Sequence, residues 1–266
     1  MIDELAASDA ILTCDTGTPT LWAARYLTMN GQRRLVGSFN HGSMANALPQ
    51  AIGAQVSHPG RQVVALCGDG GLAMSMGDLL SLRQLKLPVK VIVFRNDALA
   101  FVELEMKAAG FLEFGTDLDN PDFAKMAEAA GLLGLTAQRP DQIRPMIAQA
   151  LAHDGPALVE VPVHRRELAM PPTISIDQAT GFGMFMIKAV LSGRGDEIVD
   201  LAKTNLWRSG EALAASGIGS KPRPHPSNRV ATPGACDPGA STIWPTRRST
   251  YTIRATVSVQ HRPGDG

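Results

Sequence analysis

Six short apolar runs, most of them followed by a stretch with helical spacing, set the tightest limit on how this chain folds. The runs cover residues 11–14, 35–38, 63–68, 89–94, 135–138 and 157–163. They are continuous rather than alternating, as expected of strands covered on both faces. Between them, residues 19–29, 43–57, 74–86, 122–130 and 141–153 read as helices. Strands separated by helices predict a doubly wound α/β domain with a parallel sheet over residues 1–165. In such a sheet ligands bind beyond the carboxyl ends of the strands, so chemistry is expected there.

The remainder of the chain divides in two. Residues 166–208 hold a connector, 166–180, in which Pro171-Pro172 breaks any helix, and then a helical segment over 181–203. Phe182, Met184, Phe185, Met186, Ile187, Val190 and Leu191 make an apolar cluster in that segment, too short to span a bilayer. A helix of this kind either packs on its own domain or lies in a lipid headgroup layer. From 209 to 266 the character changes: seven Pro, seven Ser and seven Gly replace any periodicity. That composition buries too little apolar surface to offset its ordering entropy, and disorder without an assigned role is expected there.

Charge narrows the partners. The chain of 266 residues carries 25 basic and 25 acidic side chains, which argues against nucleic acid as an electrostatic partner of the whole chain. Three cysteines, Cys14, Cys67 and Cys236, make neither a disulfide framework nor metal-ligand spacing. The opening Met-Ile-Asp-Glu-Leu lacks a signal-peptide core, and a cytoplasmic protein is expected.

The most informative stretch is Gly68-Asp69-Gly70-Gly71, where the third strand ends and a helix is due. Glycines let backbone approach a ligand without Cβ clashes, and a helix start offers free N–H groups to an anion. A carboxylate there repels a phosphate unless a cation lies between, so Asp69 reads as a magnesium ligand. Taken alone, Gly-Asp-Gly reads equally as a tight turn. The fourth strand, however, ends on Arg95-Asn96, and Asn96 lies 27 residues beyond Asp69. One βα unit separates the two, which brings both side chains to the same edge of neighbouring parallel strands. A carboxylate and an amide oxygen are hard ligands of the kind magnesium accepts.

This pairing resembles the motif of thiamine diphosphate enzymes, a Gly-Asp-Gly followed after one βα unit by an Asn pair. The resemblance implies that Asp69, the Asn96 side chain and the Ala98 main-chain carbonyl bind Mg2+, with Gly68, Gly70 and Gly71 beside the diphosphate. Arg95 departs from the pattern, since the first Asn of the usual pair stands there. In Asp15-Thr16-Gly17-Thr18-Pro19, Gly17 and Thr18 are implied diphosphate contacts. In Asn40-His41-Gly42-Ser43-Met44, Gly42 and Ser43 are implied cofactor contacts, and Met44 is either the wedge that bends the cofactor or an ordinary core methionine. His41 is a site-lining residue or a structural one. Leu99 and Phe101 follow the Asn96 turn as implied contacts, Phe101 having the alternative of a core aromatic on a helix.

Residues 1–208 also resemble quinone-linked pyruvate oxidases. The phrases that carry this are Trp22-Ala23-Ala24-Arg25-Tyr26-Leu27, Leu85-Lys86-Leu87-Pro88-Val89-Lys90 and Ser192-Gly193-Arg194-Gly195-Asp196-Glu197. The resemblance implies decarboxylation of pyruvate to acetate and CO2, with electrons passing through FAD to a quinone. It also implies a flavoprotein whose 181–203 segment is peripheral at the inner face of the cell membrane, on a lipid surface. FAD, and the glutamate that activates the cofactor's pyrimidine, would come from pyrimidine- and flavin-binding domains beyond this chain or from a partner copy. No catalytic side chain is expected in the chain itself, which on this reading is a fragment or split product, inactive alone. An acetolactate synthase-like carboligase and a non-catalytic cofactor-binding fragment are the alternatives.

Overall fold

The computed structural model describes residues 1–165, 167 and 175–215, with side chains as far as Asn205. Among these residues six strands form one sheet: β1 (Ile11–Cys14), β2 (Arg34–Gly37), β3 (Val63–Gly68), β4 (Lys90–Arg95), β5 (Leu133–Thr136) and β6 (Ala157–Pro162). Every pairing is parallel, in the order β2-β1-β3-β4-β6-β5. The expected doubly wound parallel sheet is therefore present.

Its runs are continuously apolar because alternate side chains enter two different cores. Val63, Ala65, Cys67, Val91, Val93 and Leu158 point into one. That core is covered by α3 (Ala47–Ser57), α4 (Asp69–Ser75), α5 (Asp78–Gln84) and α7 (Phe123–Ala129). Val64, Leu66, Ile92, Val159 and Val161 point into the other, under α1 (Ile2–Leu5), α2 (Thr18–Tyr26) and α8 (Pro140–Ala152). Each fully buried Val or Leu contributes about 1.5–3 kcal/mol, so both faces hold the sheet. The chain leaves β1 for β2 through α2 on one face, then returns past β1 to β3 through α3 on the other. A crevice opens between β1 and β3 where that order reverses, at their carboxyl ends.

Several boundaries differ from expectation for identifiable reasons. The helix expected over 43–57 begins only at Ala47, because Gly42 and Ala45 adopt left-handed backbone, with φ of 63° and 60°. The one expected over 74–86 is two short helices, α4 and α5, and α4 starts earlier, at Asp69 itself. β5 lies two residues before the expected 135–138 and includes Gly134. A Cβ there would come within 2.2 Å of the Ala124 carbonyl, so glycine lets α7 press onto the strand. α6 (Ala100–Ala108) and the single turn α1 were not expected as helices.

The C-terminal segment is two helices, α9 (Ile176–Leu191) and α10 (Gly195–Ala215). α9 begins five residues before the expected 181, because Ser175 and Gln178 form a capping box that accepts and donates across the first turn. α10 runs through position 208 without a break to Ala215, so residues 209–215 of the segment expected to be disordered, 209–266, are helical, and its remainder, 216–266, lies outside the described residues. α9 buries Phe185 and Ala189, and a Cβ on Gly181 would fall 1.9 Å from the Ala108 carbonyl at the end of α6. Lys188 donates to the Gly110 carbonyl at 2.7 Å, and Arg194 pairs with Glu113 and Glu197. The inner face of α9 thus packs on its own domain, while Met184, Ile187, Val190 and Leu191 remain exposed.

Candidate functional site

Asp69 is the first residue of α4, directly after β3, and only 4% exposed. β3 and β4 run in register with Gly68 opposite Phe94, which delivers the Asn96 turn to the same sheet edge. Asp69 Oδ2 accepts from the Asn96 amide at 3.0 Å, the Asp97 amide at 2.7 Å and Asn120 Nδ2 at 2.9 Å. Among the described residues Oδ1 accepts only from the Gly70 amide, at 2.9 Å. The Asn96 side-chain oxygen accepts from the Ala98 amide at 3.2 Å, which closes the turn between β4 and α6. Burial pushes the Asp69 carboxyl up from the usual carboxylate range, against the lowering pull of these donors.

A second buried carboxylate stands behind the first. Asp15, at the end of β1, accepts from the Ala47 amide at 2.9 Å and the Gly68 amide at 3.3 Å. Burial raises its carboxyl too, with those amides opposing. It joins the ends of β1 and β3 to the start of α3. Gly71 leaves room for it: a Cβ there would lie 2.2 Å from Asp15 Oδ2.

Between these elements lies a cavity of about 210 Å3. Gly17 and Thr18 form one wall at the start of α2, Gly17 with a φ of 121° that favours glycine. Gly68, Asp69, Gly70 and Gly71 form the floor, and Asn96, Ala98, Leu99 and Phe101 the opposite wall. Gly42 and Met44 close a third side; the Met44 methyl would lie 3.5 Å from a Cβ on Gly70. Ser43 does not line the cavity. Its carbonyl instead accepts from Thr16 Oγ1 at 2.9 Å and Asn46 Nδ2 at 2.7 Å, pinning the Gly42–Met44 loop from behind. His41 is exposed and is likewise not a lining residue.

Arg95 turns away from the cavity. Its Nε donates to Asp97 Oδ1 at 2.7 Å and its Nη1 to Glu160 Oε1 at 2.8 Å. Glu160 is 1% exposed in the middle of β6, and Arg95 is its charge partner. Asp97 holds a left-handed φ of 55°, which these contacts secure. Glu103 also stays out of the cavity: it is buried against Thr116, Lys107 and Arg165, and Glu105 is exposed.

Asn120 and Glu160 are the residues that sequence reasoning missed. A charge inside the apolar run Leu158-Val159-Glu160-Val161 was the available signal for Glu160; nothing local marked Asn120.

Among the described residues no three or more His, Cys, Asp or Glu side chains gather as a metal cluster. The donor set here is one carboxylate, one amide and main-chain oxygen, which suits a hard cation shared with a phosphate rather than a closed zinc site. A larger cavity, about 360 Å3, lies between α2 and α8 and is lined by Trp22, Tyr26, Ile143 and Ile147. It is mostly apolar and lacks the glycine-bordered carboxylate.

Comparison with known proteins agrees with this geometry. A family model described as thiamine pyrophosphate enzyme, C-terminal TPP binding domain, matches residues 15–161. The chain is 36% identical over 203 residues to the Bacillus subtilis (strain 168) protein named "Putative thiamine pyrophosphate-containing protein YdaP", covering 76% of this chain and 35% of that one. It is 32% identical over 167 residues to the acetolactate synthase isozyme 2 large subunit of Escherichia coli (strain K12), covering 62% and 30%. To an acetolactate synthase of Bacillus subtilis (strain 168) it is 33% identical over 152 residues, covering 57% and 27%. The chain spans about a third of the length of these curated relatives.

Proposed function

The chain belongs to the thiamine pyrophosphate enzymes through their C-terminal TPP-binding domain, and from that premise we propose that it holds the cofactor's diphosphate through Mg2+ in an enzyme acting on a 2-keto acid. Asp69 Oδ1, the Asn96 side-chain oxygen and the Ala98 carbonyl would hold the cation. Backbone at Gly17, Thr18, Gly70 and Gly71 would hold the diphosphate, with Gly42, Met44, Leu99 and Phe101 against the rest of the cofactor. Thiamine diphosphate, when bound, supplies the electron sink for carbon–carbon chemistry next to a carbonyl. The single observation that carries the reading is the buried Asp69 carboxylate on a cavity bordered by glycines, with one oxygen saturated and the other still able to accept.

For the reaction, the names of the relatives favour formation of acetolactate. A second reading, quinone-linked oxidation of pyruvate to acetate and CO2, draws support from the C-terminal helices. The 203-residue match is to a Bacillus subtilis protein named only for thiamine pyrophosphate, so it favours neither reaction, and this reading rests on the exposed Met184, Ile187, Val190 and Leu191 of α9. The apolar outer face of α9 would then meet a lipid surface at the inner side of the membrane, and FAD and quinone would be served by parts beyond this chain.

Pyruvate, thiamine diphosphate and Mg2+ supplied to the chain assembled with pyrimidine- and flavin-binding parts separate the two. Acetolactate without reduction of a soluble quinone supports the first reading; quinone-dependent acetate supports the second. The lipid contact has its own test. Ile187→Glu with Leu191→Glu alters residues that are 56% and 82% exposed, so the fold should persist while co-sedimentation with anionic liposomes is lost. Equal sedimentation of the variant and the natural chain would remove the lipid contact from the second reading.

A further inference from the structure

We propose that Asn120 is a positioning residue of the metal site, holding Asp69 so that a single oxygen, Oδ1, is left to bind the cation. The inference rests on the reading of Asp69 as a cation ligand and concerns a side chain that the motif does not include.

Asn120 lies in the loop before α7, 51 residues from Asp69 in sequence. Its Nδ2 donates to two carboxylates at once, Asp69 Oδ2 at 2.9 Å and Asp97 Oδ1 at 3.0 Å. With the Asn96 and Asp97 amides, this is the third hydrogen bond to Asp69 Oδ2 and fills that oxygen's accepting capacity. Oδ1 accepts one bond and keeps lone-pair density for a cation. The two carboxylates share one donor group, so Asn120 also screens two like charges that would otherwise repel across a half-buried gap.

The contact belongs to a longer chain of bonds. Asp97 Oδ1 also accepts from Arg95 Nε, Arg95 reaches Glu160, and Glu160 Oε2 accepts from the Ala124 amide in α7 at 3.3 Å. The loop carrying Asn120 is thereby fixed from both sides, by β6 through Glu160 and by the Asp69 turn itself. Partners that orient a ligand in this way change metal affinity about 10–100-fold when removed.

The test uses the full chain with thiamine diphosphate and Mn2+ in place of Mg2+, counting free Mn2+ by its electron paramagnetic resonance signal. Asn120→Ala should weaken Mn2+ binding at least about ten-fold. Asp122→Ala is the control. It removes the N-cap of α7, whose side chain accepts from the Lys125 amide at 2.9 Å, without touching Asp69. It should lower stability in urea while leaving Mn2+ affinity within about two-fold of the natural chain, since no metal-orienting contact changes. Natural affinity in Asn120→Ala, or an equal loss in Asp122→Ala, would overturn the proposal. Should Asn120→Ala not fold, the side-chain amide signals of Asn120 in the natural chain decide. Protection from exchange and a shift on adding Mg2+ with thiamine diphosphate support the role; free exchange and no shift refute it. A natural chain that binds no Mn2+ with the cofactor would overturn the site reading itself, and this inference with it.

Discussion

Gly71→Ala is expected to disrupt the site from beneath and to cost the fold about 3 kcal/mol, the upper end of the usual range for overpacking. A Cβ at this position would lie 2.2 Å from Asp15 Oδ2, 2.8 Å from its Cγ and 3.3 Å from the Ala45 amide nitrogen. Asp15 cannot simply swing aside. It is buried, and its two oxygens hold the Ala47 and Gly68 amides, which tie the start of α3 to the end of β3. Moving it leaves those amides without their acceptor, at about 1–3 kcal/mol for each one left unsatisfied. Gly77→Ala is the matched control, since its added Cβ meets nothing within 4 Å and its φ of −59° is ordinary helical backbone. That change should be neutral or stabilising by about 0.4–1 kcal/mol. Urea denaturation of both variants checks the pair; similar midpoints would mean that Gly71 is not under the steric demand described.

The second large effect is at Asp69. Asp69→Asn keeps the size of the side chain and one acceptor oxygen but removes the charge. Burial already raises the Asp69 carboxyl, so in the absence of a cation its ionised form weighs against folding at neutral pH. The sign follows: a carboxyl raised on folding contributes stability below its unfolded value, and that contribution is lost as pH rises through the raised one. Neutralising it should therefore leave the metal-free fold within about 1 kcal/mol of the natural chain at pH 7, after allowing for one altered hydrogen bond. Magnesium-dependent binding of thiamine diphosphate should fall at least about 100-fold, because a charged ligand is lost from a hard-cation site. Asn96→Ala should fall less, since a neutral ligand is removed. Calorimetric titration of the three proteins checks the order, and equal affinities would end the assignment of both residues.

The same physics explains what could be read from the sequence. β1, β3, β4 and β6 were legible because both faces of the sheet are buried there, so each is a largely apolar run, whereas the edge strands β2 and β5 are only partly buried. β5 was displaced by two residues because Gly134 carries no strand signal, its value lying in the space it leaves for α7. α6 escaped notice because its pattern is inverted. Glu103 and Lys107 are its buried side chains while Phe101 and Val102 are exposed at the open cavity, so apolar periodicity points the wrong way. At the site, Asp69 and Asn96 could be paired because one βα unit sets their separation, and the register of β3 with β4 brings them together. Asn120 had no comparable signal, since its importance arises only where a loop 51 residues away folds back over Asp69. Arg95, a departure from the motif, is accounted for by Glu160 on a strand that sequence alone did not place beside it.

Thiamine diphosphate is expected to bind this domain through a divalent cation held at Asp69. Isothermal titration of the purified chain with thiamine diphosphate, once in Mg2+ and once in EDTA, measures that binding. Saturable binding in Mg2+ that disappears in EDTA is the expected result; binding of equal affinity in both, or none in either, would contradict it.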